Sequence, residues 1–142
     1  MRLIDVNLLL YAENADSPFH TRAKAWWEST LSLGDPVYIA WLTLIAYLRL
    51  TTNGKSMPHP WTTDEAADRL DALLSHTSVR IASPGGRHWE IYSRLVRKYK
   101  LTGNSLTDAH LVALAIEYNL EVNSADVGFS RYSEIAYKNP VS

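Results

Sequence analysis

The sequence predicts an α/β domain with a central, mainly parallel β-sheet and helices on both faces. Short apolar runs alternate with segments of helical periodicity from end to end of the chain. Apolar residues make up 46% of the 142 positions, enough to fill a core. No internal repeat or low-complexity segment interrupts the pattern, so residues 1–142 are expected to form a single domain.

Residues 2–4 read as a buried strand that ends at Asp5, and a short helix is expected from Asn7 to Tyr11. Ser17-Pro18 has the form of a helix start, Ser at the cap and Pro in the first turn, for a helix running to about Leu31. Gly34-Asp35-Pro36 ends that segment, and Val37 to Ala40 is the second strand. Leu42 to Thr51 is apolar on nearly every side, Arg49 excepted, as in a helix that is buried or shared with another subunit.

Thr62 and Glu65 have capping-box spacing, and the helix behind them carries Ala66, Leu70, Leu73 and Leu74 on one face to about His76. Val79 and Ile81 alternate like a strand, and Pro84-Gly85-Gly86 breaks the chain. Trp89, Tyr92, Val96 and Tyr99 follow helical spacing. Ser105 begins another helix, with Leu111, Leu114, Ala115 and Tyr118 as its apolar face. Leu120 to Val122 is a strand, a turn follows around Asp126 and Gly128, and Ile135 to Tyr137 adds an edge strand.

The net charge of −1 provides no basic field to attract nucleic acid, so such a contact would rest on local Arg and Lys clusters. The absence of cysteine excludes disulfides, thiolate metal sites and a cysteine nucleophile. The first residues do not read as a secretory signal, and no apolar run approaches the ~20 residues of a membrane span. A cytoplasmic protein without a membrane segment is expected.

Three acids occupy special places: Asp5 at the end of the first strand, Asp108 in the first turn of a helix, and Asp126 just after the last main strand. Ligands of open parallel sheets gather beyond the carboxyl ends of the strands. Carboxylates converging there would repel one another unless a hard divalent cation such as Mg²⁺ joined them. Each acid also has a plainer reading. Asp5 could cap the helix that follows it, Ser105 to Asp108 is a passable capping box, and Asp126 before Gly128 suits an Asx turn.

The wording of the chain is more specific than its spacing. Leu3-Ile4-Asp5-Val6-Asn7-Leu8-Leu9-Leu10-Tyr11 resembles the opening motif of PIN domains, especially the VapC-type toxins. Ser105 to Ala115, reading Ser-Leu-Thr-Asp-Ala-His-Leu-Val-Ala-Leu-Ala, resembles their central acidic helix. Asn123-Ser124-Ala125-Asp126-Val127-Gly128-Phe129 resembles their last acidic motif, and Ala40-Trp41 through Leu48-Arg49 a fourth region. Asn139-Pro140 is similar to the family's ending.

The resemblance implies a PIN-like fold and metal-dependent endonucleolytic cleavage of RNA, by the toxin half of a toxin–antitoxin pair. It further implies that Asp5, Asp108 and Asp126 hold Mg²⁺ or Mn²⁺, supported by Asn7 and Thr107, with Arg49 placed to meet RNA phosphate. Two positions depart from the family's usual acids: Ala46, three residues before Arg49, and Gly128, two residues after Asp126. They favour one firmly held cation over two, and they keep in view an alternative, a weakened PIN domain that binds RNA or protein.

Arg94, Arg97, Lys98 and Lys100 read as a solvated helix face before an RNA contact. Trp26 and Trp27 are adjacent, which suggests that one lies at an interface, and Trp41 suits packing or dimerisation. None of the five histidines has metal-ligand spacing, and His110 is expected to pack or hydrogen-bond beside Asp108. A phosphatase or nucleotide-binding protein would want a Gly-rich phosphate loop, which Pro84-Gly85-Gly86 is not. The apolar helix Leu42–Thr51 and the helix Asp64–Ser75 together suggest a homodimer, with an antitoxin peptide in a neighbouring groove.

Overall fold

In the computed structural model, which describes all 142 residues, the strands are β1 (Arg2–Ile4), β2 (Val37–Ala40), β3 (Val79–Ala82), β4 (Glu121–Asn123) and β5 (Tyr137–Lys138). They form one sheet in the order β3-β2-β1-β4-β5, and every neighbouring pair is parallel. The helices are α1 (Val6–Glu13), α2 (His20–Leu33), α3 (Trp41–Thr51), α4 (Thr63–Leu74), α5 (His88–Tyr99) and α6 (Ser105–Tyr118). A short 3₁₀ helix, Val127–Arg131, links β4 to β5.

Because side chains alternate along a strand, each strand feeds two cores. Ile4, Val37, Ile39 and Val79 point to one face, where they meet Leu8 and Leu9 of α1, Ala23 of α2, Leu44 and Tyr47 of α3, and Leu70 of α4. Leu3, Ala40, Ala82 and Val122 point to the other, against Ile91 and Leu95 of α5 and the run Leu111–Ala115 of α6. The predicted sandwich of helix, sheet and helix is therefore present, with four helices on one face and two on the other.

Strand order decides where a site can form. The chain steps outward from β1 to β2 to β3, then crosses over through α5 and α6 to β4 on the opposite side of β1. The strand order reverses at the β1–β4 pair, where Ile4 sits opposite Asn123. Open parallel sheets bind ligands beyond the carboxyl ends at such a reversal.

Several local expectations are revised. Ser17 does not cap α2 directly: its Oγ accepts from Phe19 N at 3.1 Å and shapes a turn, and the helix starts at His20. Gly34, at φ 77°, ends it in the left-handed conformation that glycine adopts without strain. The Thr62–Glu65 capping box forms in full. The proposed Ser105–Asp108 box does not: α6 begins after Asn104, with no side-chain cap. Val112 and Ala113 join the buried side of α6, whereas Tyr118 is exposed and its hydroxyl donates to Ser83 O at 2.6 Å.

Trp26 and Trp27 are both half-buried against the same core, with ring centroids 5.9 Å apart. The apolar face of α4 is covered within the chain, since Ala66 and Leu70 are buried. The uncovered apolar surface of α3 lies on another side, at Trp41 and Ile45, which are 53% and 57% exposed.

Leu114 is fully buried in the core beneath α6. Leu114→Ala should cost about 2–5 kcal/mol by lost transfer energy and the cavity left behind. Thr62→Ala, which removes one half of the capping box, should cost only about 1 kcal/mol. Urea unfolding of the two variants should show this order.

Candidate functional site

Asp5 follows β1 directly, and its backbone N–H donates to Asn123 O at 3.0 Å, extending the β1–β4 ladder. Its Oδ1 accepts from Val6 N at 2.8 Å, which caps α1. Its Oδ2 accepts from Ser124 Oγ at 2.7 Å and from Asn7 Nδ2 at 3.4 Å. The structural reading of Asp5 as a helix cap is thus correct, and these bonds hold the carboxylate in place.

Ser124 is the residue that sequence reasoning left without a role. It is fully buried. Its hydroxyl donates to Asp5 Oδ2 and accepts from Asp126 N at 2.9 Å and from Asn7 Nδ2 at 3.2 Å. Asn7 completes the web, its Oδ1 accepting from Ala125 N at 3.2 Å. The hydrogen bond expected from Asn7 to Asp5 is present, and Asn7 also reaches Ser124 and Ala125. A small hydroxyl residue just beyond a strand, two places before an acid, was the only sequence signal for Ser124.

Asp126 starts the 3₁₀ helix, and its Oδ1 accepts from Gly128 N at 2.8 Å. The Asx-type reading is therefore also correct. A Cβ at position 128 would stand 3.0 Å from that oxygen, so glycine here leaves the Asp126 carboxylate room to fold over the amide.

Asp108 differs from both. Its carboxylate takes part in no hydrogen bond and no salt bridge with the protein, because the capping box that would have used it does not form. Burial, joined by the charges of Asp126 and Asp5, pushes its carboxyl up to about 6. Asp5 is also raised, mainly by burial and additionally by Asp126, against the lowering effect of its bonds from Ser124 and Val6. Two tyrosines border the acids. The hydroxyl of Tyr137 donates to Ser124 O at 3.1 Å, and its pKa is raised by burial and then by Asp126 and Asp5. Tyr132 is raised by burial, with Asp108 adding to the effect and Arg131 opposing it.

The three acids therefore lie within one another's electrostatic field. None of the five salt bridges of the chain involves them. No three acidic or imidazole side chains stand close enough to ligate one ion directly. Thr107 makes no side-chain hydrogen bond to the acids and lines an apolar groove instead. Arg49 is exposed on the third turn of α3 with no bonded partner.

His110 hydrogen-bonds, as expected, and its partner is on α5: its Nδ1 lies 3.0 Å from His88 Nε2. Within the basic cluster, Arg94 pairs with Glu90 and Lys98 with Glu134.

The Asp108 shift has a consequence for stability. Its folded-state pKa is raised from 3.8 to about 6, so the folded state holds a proton that the unfolded state has already released. Without divalent cations, stability should be greatest below about pH 4 as far as this group is concerned, and should fall as pH rises to about 6. Asp108→Asn should flatten that slope and raise the melting temperature at pH 7. Melting curves between pH 4 and 7 in EDTA check this.

Comparison with known proteins gives one consistent result. The PIN domain family profile matches residues 2–135. Ribonuclease VapC37 of Mycobacterium tuberculosis is 33% identical over 140 residues, covering 99% of this chain and 97% of that protein. Among solved structures, VapC20 of Mycobacterium tuberculosis, described as a sarcin-ricin loop cleaving toxin, superposes with a TM-score of 0.70 at 19% identity, covering 96% of this chain and 99% of that one. A toxin–antitoxin complex from Klebsiella pneumoniae superposes with a TM-score of 0.64 at 20% identity, covering 99% and 98%. At such identities the structural likeness is one of fold alone. The profile and the curated relative both extend over nearly the whole chain, and no helix is long and apolar enough to cross a membrane. With its parallel sheet and its acids at the point of strand reversal, this chain belongs to the PIN domain family.

Proposed function

We propose that this chain is an RNA-cleaving nuclease, the toxin of a toxin–antitoxin pair, acting as a single domain through Asp5, Asp108 and Asp126 with a divalent cation. The observation that carries this reading is the Asp108 carboxylate, unpaired and facing two other acids. An arrangement that opposes its own charge is suited to a cationic ligand. The name of the curated relative, a ribonuclease, supports RNA as the substrate.

The donor set fits a hard cation. It is made of carboxylate oxygens with a hydroxyl behind them, and Mg²⁺ or Mn²⁺ prefers such oxygens. Three-way direct ligation is not available, so the cation is proposed to keep part of its water shell, as Mg²⁺ does. When bound, such an ion supplies Lewis acidity and a more acidic water.

The residues of the chain do the positioning. Ser124 and Asn7 hold Asp5, and the Gly128 amide holds Asp126. Both oxygens of Asp108 remain free of protein partners. Arg49, exposed and unpaired, is proposed to meet RNA phosphate.

No imidazole or lysine takes part in this cluster, and His88 and His110 are bonded to each other. Attack by the ribose 2′-hydroxyl would need a positioned base of that kind. Cleavage should therefore leave 5′-phosphate and 3′-hydroxyl ends. The protein should cut RNA with Mg²⁺ or Mn²⁺ and stop in EDTA. Asp5→Asn and Asp108→Asn should each lower cleavage by about 100-fold or more while the fold survives. Products ending in a 2′,3′-cyclic phosphate would refute the chemistry. Full activity in either variant would refute the residue assignment.

For assembly we propose a homodimer and an antitoxin partner in the cytoplasm. Trp41, Ile45 and Trp89 are all more than half exposed and border a groove of about 600 Å³ between α3, α5 and α6. Exposed apolar residues gathered in one groove mark a contact surface. The helix α4, first expected to share in this surface, is already covered. Trp41→Asp with Ile45→Asp should convert a dimer into a monomer in light scattering. A wild-type protein that is monomeric at high concentration, with and without its partner, would overturn the assembly.

A further inference from the structure

The helix that carries Asp108 begins poorly. No side chain caps α6, and its first turn is closed by short-range bonds, Leu106 N to Gly103 O and Thr107 N to Asn104 O, each at 3.1 Å. The helical bond at Asp108 itself, to Asn104 O, is 3.5 Å long. A helix end of this kind frays unless something else restrains it. In contrast, α4 starts with a complete capping box.

The restraint comes from α5, through two contacts that flank Asp108 by two residues on each side. The hydroxyl of Tyr92 donates to Leu106 O at 2.8 Å. On the other side His110 is held by a relay. Glu117 Oε1 lies 3.0 Å from His88 Nδ1, and His88 Nε2 lies 3.0 Å from His110 Nδ1. An ionised carboxylate can only accept, so His88 Nδ1 donates to it. In neutral His88 the Nε2 then accepts, and His110 Nδ1 donates to it. Both ends of the His88–Glu117 pair are largely buried, with side chains 14% and 10% exposed, so that pair is shielded from competing water.

The relay is also built into its surroundings. A Cβ on Gly85 would collide with Glu117 Oε2, so only glycine leaves the carboxylate its seat. His88 N donates to Gly85 O at 3.2 Å, tying the loop to the start of α5. The Pro84-Gly85-Gly86 break thus has a definite task, which is to let α6 and α5 approach at Glu117 and His88.

We propose that His110, anchored through His88 to Glu117, is a positioning residue that holds the Asp108 turn of α6 against the other two acids. The proposal rests on the reading of those acids as the reactive site. His110 and Asp108, two residues apart, point to opposite sides of the helix. His110 therefore acts through the backbone of one turn and does not touch the substrate. The part of its side chain that matters is the Nδ1–H donor.

The test uses the full chain with three variants: His110→Leu, which removes the donor; His110→Asn, which keeps an N–H near the Nδ1 position; and Gly85→Ala, which displaces the Glu117 carboxylate while leaving both histidines. Three readouts are compared: amide hydrogen exchange over residues 104–110, binding of Mn²⁺ alone, and RNA cleavage.

In His110→Leu, exchange in this segment should rise about tenfold, the worth of one net hydrogen bond in a local opening equilibrium. Mn²⁺ affinity and cleavage should fall by a similar factor or more. His110→Asn should recover most of each loss. Gly85→Ala should move all three in the direction of His110→Leu. Unchanged exchange and unchanged Mn²⁺ binding in both His110→Leu and Gly85→Ala would overturn the proposal. So would cleavage lost equally in His110→Asn and His110→Leu with normal exchange, because His110 Nε2 would then act directly. If even the wild-type protein cuts no RNA while exchange behaves as expected, the nuclease reading fails and the positioning role stands.

Discussion

The hydroxyl of Ser124 joins the two strands on which the site depends. It donates to Asp5 beyond β1 and accepts from the amide of Asp126 beyond β4. The bond is possible because β1 and β4 are adjacent and in register, so the residues that follow Ile4 and Asn123 emerge side by side. Their adjacency comes from the crossover through α5 and α6. Ser124 is held in turn by the edge strand: its N–H donates to Lys138 O at 3.1 Å and its carbonyl accepts from Tyr137. A strand of two residues near the chain end thereby helps to fix the first acid of the chain. Buried and fully bonded, the serine cannot move without leaving polar groups unsatisfied.

Structural and chemical roles coexist in two of the three acids. Asp5 uses one oxygen to cap α1, and Asp126 uses one to start a 3₁₀ helix. A carboxylate has about four acceptor positions, so one backbone bond does not exhaust it. The cap fixes the direction in which the remaining lone pairs point. Asp108 has no such duty. It receives no stabilising bond, and burial with two like charges keeps its carboxyl well above the ordinary range. Gly128 stands where the family resemblance led one to expect a further acid. Its missing side chain lets Asp126 lean onto the backbone amide, so a lost carboxylate at 128 is accompanied by a better-held one at 126.

The two faces of the sheet divide the remaining work. The face bearing α1 to α4 is closed over Ile4, Val37 and Ile39. The face bearing α5 and α6 supports the Asp108 turn and also opens onto the groove of Trp41, Ile45 and Trp89. Thr107 borders this groove while its neighbour Asp108 faces the acids, so one turn of α6 separates an apolar contact surface from a charged site. Docking at the groove would meet the backbone that carries the third acid.

Much of the fold was legible in the sequence because alternation and helical periodicity are local properties. The strands Val37–Ala40 and Val79–Ala82, the Thr62–Glu65 capping box and the stop at Gly34 follow from neighbours a few residues apart. The three acids were legible as candidates because each follows a strand or opens a helix, and the motifs around them supplied the rest. Other features depend on residues far apart in the chain. Ser124 meets Asp5 across 119 positions, and His88 meets Glu117 across 29. Periodicity does not encode such distances. The same limit explains why a passable capping box at Ser105 was not one, and why the partner of His110 on α5 was not foreseen. By itself the sequence determined the elements, their order and the kinds of group near the strand ends. Only the tertiary structure decided which of those groups meet, because packing six helices and four further strands around β1 sets distances that no local pattern contains.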